Sequence, residues 1–309
     1  MNILVIGSIN MDLLMITDRL PHPGESMISE LYEFNPGGKG ANQVAAAALL
    51  GADATFAGKV GGDDFGKVLK QTLEDLGVCT KFLTVSESNK SGFAVIMLED
   101  NGQNRIIVHR AANLDLDIKD IDDAFKQHYD GVIVGFEVSE EVVIHACKLA
   151  KSKNIPTIVD AGPAQAFPLN EIYGIDILSP NETETQALCG VAVHNDQDCL
   201  EASKILMERS GAKYIVLKLG AMGASLYDGS NIVFFPAHKV SAVDVTSAGD
   251  VFTAALALKY TADKDIENAV RYANIAGALT VTKLGAMKSI PAKKDVDNVF
   301  GVAQGHFTS

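Results

Sequence analysis

The chain has 309 residues, 47% of them hydrophobic, and a formal net charge of -13. That length suits one large α/β domain or two smaller ones. No apolar run is long enough to span a bilayer, and acidity without a basic cluster argues against nucleic-acid binding. Four cysteines, Cys79, Cys147, Cys189 and Cys199, form no Cys-x-x-Cys pair and have no His at zinc-finger spacing. Reduced thiols in a cytoplasmic protein are the expectation.

The N-terminus is apolar from Asn2 to Gly7 and lacks a basic n-region, so it reads as a first strand and not a signal peptide. It runs into Gly7-Ser8-Ile9-Asn10-Met11-Asp12, where Asn10 and Asp12 are either turn formers or ligand-facing groups. Leu13–Asn35 reads as extended. Pro36-Gly37-Gly38-Lys39-Gly40-Ala41-Asn42 has the glycine content of a phosphate loop. It is not a Walker A motif, because Gly and not Ser or Thr follows Lys39. It opens an Ala-rich helix over Ala41–Leu50 that stops at Gly51; Lys39 and Asn42 at its mouth can donate to a polyhydroxy ligand. A second helix covers Gly66–Leu76. Phe93–Leu98 and Arg105–Val108 flank the turn Glu99-Asp100-Asn101-Gly102, which predicts a hairpin. The extended pieces form either a small sheet standing off the main body or an antiparallel edge of the main sheet.

Short β-branched runs follow at Gly131–Gly135, Pro156–Asp160, Ile175–Leu178 and Tyr214–Leu219. Helical stretches at Val138–Lys153, Thr183–Cys189 and Gln197–Ser210 separate them. This alternation predicts a doubly wound, mainly parallel sheet, whose ligands bind beyond the carboxyl ends of the strands. Polar loops gather there: Asn10/Asp12, Phe136-Glu137, Asp160-Ala161-Gly162-Pro163, Ser179 to Glu184, and Gly220 to Gly223. Each has a plain alternative. Glu137 is placed to cap the helix after it, Asn181 and Glu184 have capping-box spacing, and the glycines suit turns.

The segment Val243-Asp244-Val245-Thr246-Ser247-Ala248-Gly249-Asp250-Val251-Phe252 carries the most information. Two carboxylates bracket small residues at the start of an apolar helix over Val251–Tyr260. The unpaired N–H groups of a helix start favour an anion. Asp250 is then a helix cap or a base beside a bound phosphate.

Taken in order, Gly7–Asp12, Pro23-Gly24-Glu25, Gly37–Gln43, Gly61–Gly66, Ser179–Glu184, Asp244–Asp250 and Lys283-Leu284-Gly285-Ala286 with Ser289 resemble the ribokinase-like (phosphofructokinase-B) family of sugar kinases over nearly the whole chain. The resemblance implies a three-layer α/β sandwich: one domain over 1–309, a mainly parallel central sheet, and a small β-sheet lid from about 13–35 and 91–110. It implies ATP-dependent phosphorylation of a sugar, with the 5-hydroxyl of D-ribose as the first expectation and another pentose, fructose or a nucleoside as the alternative. Asp250 would be the general base, with Ser247, Ala248, Gly249 and the Asp250 amide around the transferring phosphoryl group. Asn10, Asp12, Gly38, Lys39, Asn42 and Glu137 match sugar-holding positions. Asn181, Lys218, Gly220, Gly223, Gly249 and Asn274 match nucleotide-side positions. Glu184 would meet Mg²⁺ through water. Asp244, Thr246, Thr280, Lys283, Gly285 and Ser289 would form a K⁺ loop, and two lids would clasp a homodimer.

The chain departs from the family pattern at Ala111, Asp160–Pro163, Val245 and Ser247. A non-catalytic sensor on the same fold would have no need of Asp250. A dinucleotide-dependent oxidoreductase is disfavoured because the first strand lacks the dinucleotide glycine spacing.

Overall fold

The computed structural model describes residues 1–29, 31–99 and 104–305. The first strand, β1 (Asn2–Ile6), lies inside the main sheet, third from one edge. The chain then crosses into a second sheet through β2 (Asn10–Thr17) and β3 (Leu31–Gly37) and returns through α1 (Lys39–Leu49), β4 (Asp53–Gly61), α2 (Asp64–Asp75) and β5 (Cys79–Ser86). A second excursion makes β6 (Gly92–Glu99) and β7 (Asn104–His109). From there the chain alternates α3 (Ile118–Ala124), β8 (Gly131–Gly135), α4 (Glu140–Ser152), β9 (Thr157–Asp160), β10 (Ile177–Ser179), α5 (Glu182–Cys189), α6 (Asp196–Ser210) and β11 (Tyr214–Lys218). The hairpin β12 (Ala224–Tyr227) and β13 (Ile232–Phe235) precedes α7 (Ala248–Asp263), α8 (Ile266–Thr280) and α9 (Lys293–Gly305).

The large sheet has the order β13-β12-β11-β10-β9-β8-β1-β4-β5, parallel from β11 to β5, with an antiparallel edge at β12 and β13. Both faces are covered, as short β-branched strands without alternation require. In β1 the side chains of Ile3 and Val5 enter one core with α1, α7 and α8, while Leu4 and Ile6 enter the other with α3, α4 and α6. The period of two thus divides one strand between two apolar layers.

Sequence patterning finds the strands at 2–7, 131–135, 156–160, 175–178 and 214–219 but not β4, β5, β12 or β13, nor α3, α8 and α9. In β4 the apolar run is broken by Gly58 and Lys59. Both breaks have tertiary reasons: a Cβ on Gly58 would sit 2.5 Å from the Phe56 ring, and Lys59 bonds Asp120 at 2.7 Å.

The extended pieces form a separate sheet, β3-β2-β6-β7, and not an edge of the main one. The β2–β6 pair is parallel and the other two are antiparallel. The strand β2 begins at Asn10, so Asn10 and Asp12 are strand residues and the turn-former alternative falls. Leu31, Tyr32, Phe34, Ile106, Ile107 and Val108 are exposed apolar side chains spread over both faces of this sheet. Of the expected hairpin turn, Asp100, Asn101 and Gly102 lie outside the described residues.

Candidate active site

The first turn of α7 departs from ordinary capping. The helix begins at Ala248, three residues before the expected start, so Asp250 lies inside its first turn. Ser247 precedes it with φ +58°, a left-handed conformation costly for a residue with a Cβ. Its hydroxyl turns back to the Thr246 carbonyl at 2.7 Å, and no side chain caps the helix. Ala248 N–H donates to Val245 O at 3.3 Å and Val251 N–H to Ser247 O at 2.9 Å. Among the described residues, the Gly249 and Asp250 N–H groups find no protein acceptor, so these two, and not Ala248, are the open donors.

Asp250 is 5% exposed. One carboxylate oxygen, Oδ2, accepts from Asn42 Nδ2 at 2.9 Å; the other, Oδ1, has no hydrogen-bond partner among the described residues. The Lys39 ammonium stands 3.7 Å from Oδ1. Burial pushes the carboxyl up to about 6 with help from the nearby Asp160 charge, against Lys39, the Asn42 hydrogen bond and Lys218. The cap alternative for Asp250 therefore fails: its side chain points away from the helix start, and one oxygen is free to receive a proton.

The Lys39 ammonium also approaches Glu184 Oε1 at 3.8 Å and Asp160 Oδ1 at 3.9 Å. Burial alone would weaken its hold on the proton; Asp160, Asp250, Glu184 and Glu137 outweigh that and raise its pKa. Lys39 and Asn42, both expected at the sugar, thus also hold the Asp250 carboxylate. The glycines before them permit the close approach. Gly38 has φ +93°, and a Cβ there would lie 2.8 Å from the Ile9 Cα.

Among the residues expected at the sugar, Asn10 is buried and accepts from Asn113 Nδ2 at 2.8 Å, while Asn113 Oδ1 accepts Ile9 N–H at 2.9 Å. Asp12 packs against Gly37 at the end of β3, where any Cβ would collide with its carboxylate. Burial, then the charges of Glu137 and Asp250, push the Asp12 carboxyl up to about 7. Glu137 accepts from the Ser8 hydroxyl and from Lys39 N–H at 3.3 Å. It does not cap α4; Ser139 does, accepting Val142 N–H.

On the opposite side, Asn181 and Glu184 form a complete capping box at the start of α5, each side chain accepting the other's N–H at 2.8 Å. Lys218, at the end of β11, donates to Asp160 Oδ2 at 2.9 Å. Gly220 (φ +52°) and Gly223 (φ +102°) shape the turn into β12, and Asn274 Nδ2 reaches across from α8 to Phe235 O at 3.1 Å. No cluster of three or more His, Cys, Asp or Glu that could hold a metal occurs among the described residues. The donor set thus fits Mg²⁺ kept by phosphates and water, with Glu184 alongside.

The Asp244 carboxylate bridges two loops, accepting Thr246 N–H and Gly285 N–H, each at 2.9 Å. Burial would raise its pKa, but those hydrogen bonds outweigh it and hold the group ionised. A carboxylate has about four acceptor positions, so two remain. The Ser289 hydroxyl donates to Ala286 O and keeps its own lone pairs, while the Thr280 hydroxyl is engaged with Ala276 O at 2.9 Å. One full charge beside oxygen donors fits a monovalent cation, and Lys283 lies in the same loop.

Sequence assigned no individual role to four contacting residues: Ser8, Asn113, Asp160 and Thr253. Ser8, Asn113 and Asp160 lie in stretches that attracted notice, but only their partners, distant in sequence, reveal what they do.

A family model described as pfkB family carbohydrate kinase matches residues 1–293. A ribokinase of Bacillus subtilis is 35% identical over 300 residues, covering 96% of this chain and 99% of its own length. A deoxyribokinase of Salmonella typhi is 32% identical over 295 residues, covering 94% and 96%. Among solved structures, an Arabidopsis thaliana ribokinase complexed with ribose and ATP superposes with a TM-score of 0.86 at 32% identity, covering 96% of this chain and 98% of that one.

Proposed function

The chain belongs to the pfkB family of carbohydrate kinases, and within that family we propose that it transfers the γ-phosphoryl group of ATP to the 5-hydroxyl of D-ribose. The single observation that carries the reading is the buried Oδ1 of Asp250, without a hydrogen-bond partner among the described residues, in the first turn of an uncapped helix. A primary hydroxyl at Oδ1 loses its proton there as its oxygen attacks the phosphorus. The open Gly249 and Asp250 N–H groups and the helix dipole receive the charge on the transferring group. Asn42 keeps Oδ2 occupied, so the carboxylate cannot turn away, and the Lys39 ammonium offsets negative charge as the phosphates arrive. Asn10 and Asp12 orient the sugar, Asp12 accepting from two neighbouring hydroxyls.

Mg²⁺, when bound with ATP beside Glu184, supplies further charge neutralisation. A K⁺ ion at Asp244 would join the 243–247 and 280–289 loops and order the turn before α7 without touching substrate. The Arabidopsis relative with ribose and ATP bound supports the choice of substrates. The deoxyribokinase relative makes 2-deoxyribose the natural competitor; Asp12 would lose one hydroxyl partner with it. We read the whole chain as one domain, with β3-β2-β6-β7 as its lid and the lid's exposed apolar side chains as a dimer surface. Sedimentation at micromolar concentration should show a two-chain species.

Asp250→Asn tests the assignment of the base. Turnover should fall about 10²- to 10⁴-fold, with calorimetric affinities for ribose and nucleotide retained. Normal binding with turnover at the wild-type rate would remove Asp250 from the chemistry.

A further inference from the structure

Asp160 has no place in the chemistry above, yet it is the most enclosed charge in the site, with no exposed surface at all. Its Oδ2 accepts from Lys218 Nζ at 2.9 Å and from Thr253 Oγ1 at 2.8 Å. Its Oδ1 accepts Gly162 N–H at 3.0 Å and lies 3.9 Å from Lys39 Nζ. The carboxylate therefore touches two lysines that approach the site from opposite sides of the chain. Through the fully buried Thr253 it also touches α7, three residues beyond Asp250.

Lys218 shows what this arrangement controls. Its ammonium is 4.0 Å from Glu184 Oε2, and a Cβ placed on Gly249 would lie 3.9 Å from it. It thus stands beside the open turn, at the end of a flexible four-carbon stem that could adopt many rotamers. A buried ammonium seeks an anion. Without Asp160, the nearest carboxylate is Glu184 Oε2, whose partner is the Asn181 N–H of the capping box. Lys218 drawn there would leave the turn and disturb the start of α5.

We propose that Asp160 is a positioning residue for phosphoryl transfer: it holds the Lys218 ammonium against the Gly249 turn and, through Thr253, fastens the first turns of α7 to the end of β9. This rests on reading the site as a kinase site. Asp160 meets neither sugar nor nucleotide itself; its effect passes through Lys218 and α7.

The test uses the full chain with Mg-ATP and ribose. Asp160→Asn keeps the shape and one acceptor but removes the charge. The expected result is a fall in kcat of about 10- to 100-fold, the scale of a small misplacement of reacting groups, with a raised KM for ATP and an unchanged calorimetric affinity for ribose. Lys218→Met should lower kcat as well, and adding Asp160→Asn to it should cost little more. A merely structural Asp160 would instead give additive losses and a weakened ribose affinity. Should Asp160→Asn fail to fold, Thr253→Val decides, since it removes one donor and leaves the ion pair. It should lower kcat with ribose affinity unchanged, and wild-type kcat would overturn the proposal. Wild-type kinetics in a folded Asp160→Asn would also overturn it while leaving the kinase reading intact. A wild-type chain that phosphorylates no sugar would take both down.

Discussion

Two helix starts face each other across the site, and they are built in opposite ways. At α5 the backbone is sealed: Asn181 accepts Glu184 N–H and Glu184 accepts Asn181 N–H. At α7 the residue before the helix, Ser247, bends into the left-handed region, turns its hydroxyl away and leaves the Gly249 and Asp250 N–H groups open. A sealed start contributes to stability. An open start is less stable alone and becomes an anion site once a ligand supplies the missing acceptor. Sequence makes the two look alike, since each offers a polar residue before an acidic one near a helix start.

The largest effect should follow from filling the open start. A Cβ at Gly249 meets nothing closer than 3.9 Å, so Gly249→Ala fits the free protein but intrudes where the phosphoryl group would sit. Its kcat/KM for ATP should fall on the order of 10²- to 10³-fold, as when an anion-hole donor is lost. Thr183→Val, at the exposed second residue of α5, should change it about twofold or less. Equal losses in both variants would erase the distinction between the two starts.

Charge at the open start should also be visible in pH dependence. Asp250 is pushed up to about 6 and Asp12 to about 7. Both must be ionised to act, so kcat/KM for the sugar should drop as pH falls from 8 to 5; a flat profile would contradict the assignment. The stability sign is the reverse. A carboxyl whose folded pKa is raised binds more protons in the native state, so its contribution is lost as pH rises through about 4 to 7. Asp250→Asn should therefore raise stability at pH 8 by roughly 1–3 kcal/mol, read from denaturant midpoints, even as it lowers turnover.

Smaller effects should separate the two caps directly. Asn181→Ala removes half of the reciprocal box and should cost about 1 kcal/mol, again read from denaturant unfolding. Ser247→Gly relieves the left-handed backbone and should add roughly 0.5–1 kcal/mol. A loss of stability in Ser247→Gly would mean that the Ser247–Thr246 hydrogen bond matters more than the backbone strain.

Part of this contrast was legible in the chain itself. The β-branched runs announced a parallel sheet because burial on both faces demands them. The run Ser247–Asp250 announced close backbone approach because only small residues permit it. The sequence could not say which helix start would be sealed, because that depends on whether a side chain turns toward its own backbone or toward Asn42 and Lys39, some 200 positions away in the chain. The contacts of Asp160 and Thr253 were invisible for the same reason: each is an ordinary polar residue until β9, β11 and α7 come together. The strand β4 hid because Gly58 and Lys59 in it answer to tertiary neighbours and not to strand propensity.

The most direct check on the central claim is the identity of the product. The chain is incubated with Mg-ATP and a panel of ribose, 2-deoxyribose, fructose and a nucleoside, and the product is read by ³¹P NMR with ADP release as the rate. The expected product is a phosphomonoester on the 5-carbon of ribose, formed with the highest kcat/KM of the panel. Faster turnover of fructose or the nucleoside, or ATP left unconsumed with every sugar, would contradict it.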